Sequence, residues 1–156
     1  MMTWFIRLAF AGLAAGILVH GAVRGDSAMY VGGSTSIEQN TMGRIDTSDT
    51  ARMFFNSKKG QIDFSYGSIL TLEYGQKAGR RVGVALAVSP LALFSKKRKH
   101  YLTIGYTDAS GNRQGAVFEI AKGRVGTVVR VLETRSGKTV EFESEEARKH
   151  FEKGNR

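Results

Sequence analysis

Three histidines and two dense basic clusters are the side chains of this 156-residue chain with the most chemistry to offer. His20 lies in an apolar leader, His100 beside a basic cluster and His150 in the terminal tail, and none has a carboxylate or serine at the spacing of a proton relay or an activated nucleophile. His100 reads most simply as a strand-end residue. No Gly-x-Ser-x-Gly elbow, phosphate-binding glycine loop, dinucleotide fingerprint or His-Glu-x-x-His pair occurs. The chain has no cysteine, which excludes disulfides, thiol catalysis and cysteine-ligated metals. Glu141, Glu143, Glu145 and Glu146 read as a solvated face, since they lack the spaced oxygen ligands and the turn glycine of a calcium loop. The expectation is a non-enzymatic protein with no catalytic residues, no cofactor and no metal; an enzyme too diverged to recognise is the remote alternative.

The basic clusters point to binding instead. Arg80, Arg81, Lys96, Lys97, Arg98 and Lys99 flank the uncharged, mostly apolar run Val82 to Phe94, and no acidic residue occurs between Glu73 and Asp108. With Lys77 these residues supply seven positive charges in a chain whose formal net charge is +9. At a helical rise of about 1.5 Å per residue the apolar run covers only roughly 20 Å, too short for the ~30 Å hydrocarbon core of a bilayer. A short apolar segment with basic flanks suits an interface: the cations stay among anionic headgroups while Leu91, Leu93 and Phe94 make the apolar contact. A second reading stands beside it. Val82, Val84, Leu86 and Val88 alternate with Gly83, Ala85, Ala87 and Ser89, the pattern of a strand packed on a core, and Ser89-Pro90 is suited to opening a short helix through Leu91, Leu93 and Phe94.

The surrounding elements follow from composition and period. The length suits one modest domain, and nineteen glycines with one proline favour a turn-rich, strand-rich chain. Residues 1–21 read as a signal peptide or an N-terminal anchor helix: Arg7 precedes the apolar run Leu8 to Val19, and cleavage after Gly21 is one option. Export to the periplasm or cell envelope is therefore expected, with the N-terminus anchored in the inner membrane as the variant without cleavage. Residues 22–42 read as a flexible linker with a candidate edge strand at Met29-Tyr30-Val31.

From Gly43 short strands succeed one another, with turns at Ser48-Asp49 and Lys58-Lys59-Gly60. Ile62, Phe64 and Tyr66 share one face; Ile69, Thr71 and Glu73 oppose Leu70, Leu72 and Tyr74 on the next strand. His100 to Thr107 and Gln114 to Ile120 form a hairpin about Asp108 to Asn112. Val125, Val128, Val129 and Leu132 sit on one helical face with Gly137 placed to stop it, but the four valines and Gly126 are poor helix formers, and a hairpin about Ser136-Gly137 fits the same residues. Thr139 to Phe142 reads as a short strand, and Ser144 with Glu145 and Glu146 as the capped start of a small terminal helix.

The Gly-led strand at Gly43, the aromatic strand Arg52-Met53-Phe54-Phe55, the turn, and the run Ile62-Asp63-Phe64-Ser65-Tyr66-Gly67-Ser68-Ile69 leading into Leu72 resemble the GRAM and bacterial PH-like domains. LFSKKRKHYLTIGY and Val125 to Gly137 fall where those domains have later strands and a closing helix. Asp46-Thr47-Ser48-Asp49-Thr50 departs from the more apolar first strand usual there. The resemblance implies a mainly β fold with a C-terminal helix, a PH-like small barrel or two-sheet roll over residues 43–137, with residues 80–99 as a basic-apolar insertion and residues 138–156 adding a short strand and terminal helix. It also favours helix for Val125 to Gly137, and binding of membranes, lipid headgroups or peptides over catalysis. The expected partner is thus an anionic membrane surface or an envelope protein, the latter through a peptide-binding edge or groove. A cationic chain attracts any polyanion, but no aromatic-basic interleaving of the RNA-binding kind is present, so no specific nucleic acid is expected.

Overall fold

The structure is a computed structural model and describes residues 27–77 and 99–154. Residues 1–21, read as signal or anchor, and all of the 80–99 insertion except Lys99 lie outside the described residues. Among the described residues, eight strands form one open mixed sheet: β1 (Ser27–Gly33), β2 (Thr41–Asp46), β3 (Arg52–Ser57), β4 (Gly60–Ser65), β5 (Ile69–Gly75), β6 (Tyr101–Thr107), β7 (Arg113–Ile120) and β8 (Val140–Phe142), in the order β4-β3-β2-β1-β7-β6-β5-β8. Two helices follow the strands, α1 (Lys122–Ser136) after β7 and α2 (Glu145–Gly154) after β8. The fold is mainly β with a C-terminal helical segment.

The sheet curls but does not close. Phe64 on the edge strand β4 stacks on Tyr106 of β6 with ring centroids 4.5 Å apart. Five strand spacings separate them in the sheet order, about 24 Å if it were flat. The concave side thus encloses the core: Tyr30, Met53, Phe55, Phe64, Leu72, Leu102, Ile104 and Phe118 meet Val125, Val128, Val129 and Leu132 of α1 there. β4 and β5 are joined by a single 3-10 turn at Tyr66–Ser68 and do not pair; the sheet ends at β4 on one side and at β8 on the other, so it is not closed into a barrel.

The 3.6-residue period prevails over the weak propensity of the valines in α1, because burying a whole apolar stripe outweighs a few tenths of a kcal/mol per residue. Gly137, at φ 70°, ends it in the left-handed conformation with its N–H donating to Glu133 O. Ser144 caps α2, accepting the Ala147 N–H at 3.1 Å. The hairpin β6–β7 turns on Asp108, whose carboxylate accepts the N–H groups of Ser110 and Asn112 and the Gln114 side-chain amide, interactions that hold its pKa below the usual range.

Two expectations are corrected. Met29-Tyr30-Val31 is not an edge strand in a linker: Ser27–Gly33 lies in the middle of the sheet, between β2 and β7. Its Gly and Ser content lowered the strand signal, while alternation still sends Tyr30 to the main core and Val31 to the other face. On β5, a bulge between Ile69 and Thr71 breaks the simple alternation, so Ile69 joins Leu72 and Tyr74 in the core and Leu70 is left 40% exposed.

Candidate functional site

The register of four neighbouring strands gathers the ends of the basic-apolar insertion at one place. β5 runs out at Gly75, which pairs with Tyr101 at the start of β6; Tyr101 pairs with Glu119 near the end of β7; and Glu119 pairs with Met29 near the start of β1. Lys77 and Lys99, on either side of the insertion, therefore sit at the same edge as Ser27, where residues 1–26 join the sheet. Strand spacing puts the β1 and β5 ends of this edge about 14 Å apart.

Of the sequence-selected basic residues, Lys99 alone is described, and it is engaged within the fold. Its Nζ lies 2.8 Å from Glu119 Oε2, with the carboxylate side chain 10% exposed. Arg80, Arg81, Lys96, Lys97 and Arg98, and the apolar Leu91, Leu93 and Phe94, lie outside the described residues. Lys77 and, at the start of α1, Lys122 are exposed at this edge.

Glu143 helps to set the path of the chain as it leaves β5. Its carboxylate accepts the N–H groups of Gln76 (3.0 Å) and Lys77 (3.3 Å). A Cβ on residue 75 would meet Glu143 Oε2 at 2.6 Å, so a glycine is needed there for the carboxylate to reach in. Sequence reading placed Glu143 on a solvated face with Glu141, Glu145 and Glu146; those three are exposed, while Glu143 is half-buried because β8 pairs in parallel with β5 and carries it over the edge.

His100 is more than a strand-end residue. It is buried, with Nδ1 2.6 Å from the Tyr74 hydroxyl, and its ring lies 5.3 Å from that of His150 on α2. Burial, with the His150 and Lys122 charges beside it, lowers its pKa to about 4; burial raises Tyr74 to about 12. Both are thus neutral near pH 7, and the pair acts as a docking point for α2 together with the edge-on contact of Phe151 on Tyr74. His150 and Tyr74 fall 50 and 26 residues from His100, so no local spacing signalled the cluster.

The opposite face of the sheet at this edge is also apolar: Val31, Tyr101 and Val117 are buried there, with Met29 against them, and the buried Tyr101 hydroxyl has no hydrogen-bond partner among the described residues. Among the described residues no group of three or more His, Asp or Glu side chains is placed to hold a metal ion, and no helix is long and apolar enough to cross a membrane. In comparisons with known proteins, no family model matches the chain and no curated protein matches it in sequence.

Proposed function

We propose that the chain is a non-catalytic membrane-surface or lipid-headgroup binding module of an exported, envelope-associated protein, built on a PH/GRAM-like frame. One observation carries the reading: the acid-free, basic-flanked apolar run leaves and rejoins the sheet at a single edge, between Lys77 and Lys99. Two strands paired as directly as Gly75 with Tyr101 need only a tight turn between them. A longer connection with this composition is consistent with a surface element that meets a partner. The curled sheet followed by α1 supports the PH-like frame. Arg80, Arg81, Lys96, Lys97 and Arg98 supply the attraction to anionic headgroups, with Lys99 held by Glu119, and Leu91, Leu93 and Phe94 the apolar contact. Residues 1–21 direct export or anchor the chain.

The test is co-sedimentation of residues 22–156 with vesicles of defined charge. Binding is expected with anionic lipid, to weaken as salt rises, and to be absent with purely zwitterionic lipid. Binding that ignores salt and lipid charge sinks the reading. A protein-interaction module is the second reading, and the edge strand β4 favours it: among the described residues Gly60–Ser65 pairs only with β3, leaving one side of its backbone open to an added strand.

A further inference from the structure

Helix α2 is held to the sheet by few contacts, and one of them is a meeting of two imidazoles. A helix of ten residues does not persist alone in water, so its order depends on what it packs against. Of its side chains only that of Ala147 is buried. The rest of the attachment is largely aromatic. Phe151 meets Tyr74 of β5 with ring centroids 4.9 Å apart and Phe142 of β8 at 5.5 Å, Arg148 lies over the Phe142 ring, and the His150 ring lies 5.3 Å from that of His100. The chain leading into α2 is fixed more firmly: the Glu143 N–H donates to Tyr74 O, and the Glu143 carboxylate accepts the N–H groups of Gln76 and Lys77. Ser144, between that anchor and the helix, is therefore the point about which α2 can leave while β8 stays paired with β5.

The imidazole contact is built for a neutral His100. His100 is buried, and the groups facing it are Tyr74 of β5, His150 of α2 and Lys122 at the start of α1. Tyr74 suits either protonation state, since a phenol can donate to Nδ1 or accept from it. His150 and Lys122 are cations when ionised, and burial, with them beside it, lowers the His100 pKa from 6.5 to about 4. The carboxylates of the adjoining elements do not compensate. Glu73, Glu119 and Glu141 belong to the other face of the sheet, by alternation with Tyr74, Ile120 and Phe142, and Glu143 is engaged by Gln76 and Lys77. On α2 itself Glu146 and Lys153 lie about one turn from His150 on either side, with opposite charges. His150 Nδ1 is buried with no hydrogen-bond partner among the described residues, so docking leaves a polar atom unsatisfied that release would return to water.

We propose that α2 is an acid-released latch: protonation of His100, against His150 and Lys122, undocks the helix about Ser144 and uncovers Tyr74, His100 and Phe142, while the sheet and α1 stay folded. The proposal does not depend on the membrane-binding reading. Its sign follows from linkage. A group whose pKa is depressed by docking binds more protons once the helix has left, so docking is full above about pH 6.5 and weakens as pH falls toward 4. The main core survives release because α2 contributes only Ala147 to its buried residues. The aromatic surface along β5 and β8 is thus closed near neutral pH and open in mild acid.

Hydrogen exchange read by mass spectrometry on the 156-residue chain at pH 7 and pH 5, corrected for the intrinsic pH dependence of exchange, tests the latch. Protection of the α2 amides is expected to fall at least about fivefold more than that of the β6 and β7 amides, and to fall less in His100→Gln. Equal protection of α2 at both pH values, loss of protection in α2, β6 and β7 together, or an undiminished fall in His100→Gln overturns the proposal. If His100→Gln already lacks protection in α2 at pH 7, proton NMR of the parent decides instead. The His100 imidazole is then expected to titrate over the same pH range in which α2 loses protection, and titration of His100 with α2 still protected overturns the latch.

Discussion

Lys99 Nζ and Glu119 Oε2 lie 2.8 Å apart, so the last residue of the basic cluster is a structural partner of the sheet. Lys99→Ala removes the counter-charge of a carboxylate whose side chain is 10% exposed. The variant is expected to lose about 1–2 kcal/mol of stability in denaturant unfolding. Its vesicle binding is expected to change less than that of a Lys97→Ala variant. A Lys99→Ala protein as stable as the parent would make the pair a surface contact of little weight.

Leu91→Asp separates the two readings of the insertion. On the surface-contact reading it weakens vesicle binding and leaves thermal unfolding within a few degrees of the parent. If it unfolds the domain instead, Val82 to Phe94 is core, and the protein-interaction reading takes first place.

His100 makes stability depend on pH. Its pKa falls from the ordinary 6.5 to about 4 in the folded chain, so between those values the unfolded chain binds more protons. Stability from this group is full above about pH 6.5 and is lost as pH falls toward 4, with a slope of at most about 1.4 kcal/mol per pH unit. Urea midpoints measured from pH 7.5 to 4.5 are expected to fall for the parent and to fall less for His100→Gln. Parallel curves would show that His100 is not the group responsible.

Arg135 ties the end of α1 to two loops: its guanidinium donates to Thr47 O (2.6 Å), Asp49 O (2.6 Å) and the Tyr66 hydroxyl (2.9 Å), and lies over the Tyr66 ring. All three bonds come from the one Nη1 atom, so Arg135→Ala is expected to cost about 2–3 kcal/mol and Arg135→Lys to recover only part of it, because an ammonium can donate from one point but loses the planar guanidinium over the Tyr66 ring. Thermal unfolding of the two variants checks this.

The readable parts of the sequence were those with a clean period. Leu102, Ile104 and Tyr106 against Ala116, Phe118 and Ile120 mark the β6–β7 hairpin, and Val125, Val128, Val129 and Leu132, at helical spacing, lie on the buried face of α1. What stayed hidden depends on non-local pairing. The central position of β1 is set by its partners β2 and β7, 77 residues apart at Met42 and Glu119, rather than by its own residues. The β5 bulge, the parallel β5–β8 pairing that brings Glu143 to Gly75, and the meeting of Tyr74 with His100 are likewise products of register. Within the candidate site, the sequence marked the basic cluster; the Lys99–Glu119 pair and the convergence of Ser27, Lys77 and Lys99 on one edge required the sheet order.

Vesicle affinity of the triple charge reversal Lys96→Glu, Lys97→Glu, Arg98→Glu in residues 22–156 tests membrane binding most directly, because Lys99 is kept and the Glu119 pair with it. At about 1 kcal/mol per basic residue near an anionic surface, reduced by screening, affinity for phosphatidylglycerol vesicles at low salt is expected to fall by at least about tenfold. The unfolding midpoint is expected to stay unchanged. A folded variant that binds the same vesicles as tightly as the parent would contradict it.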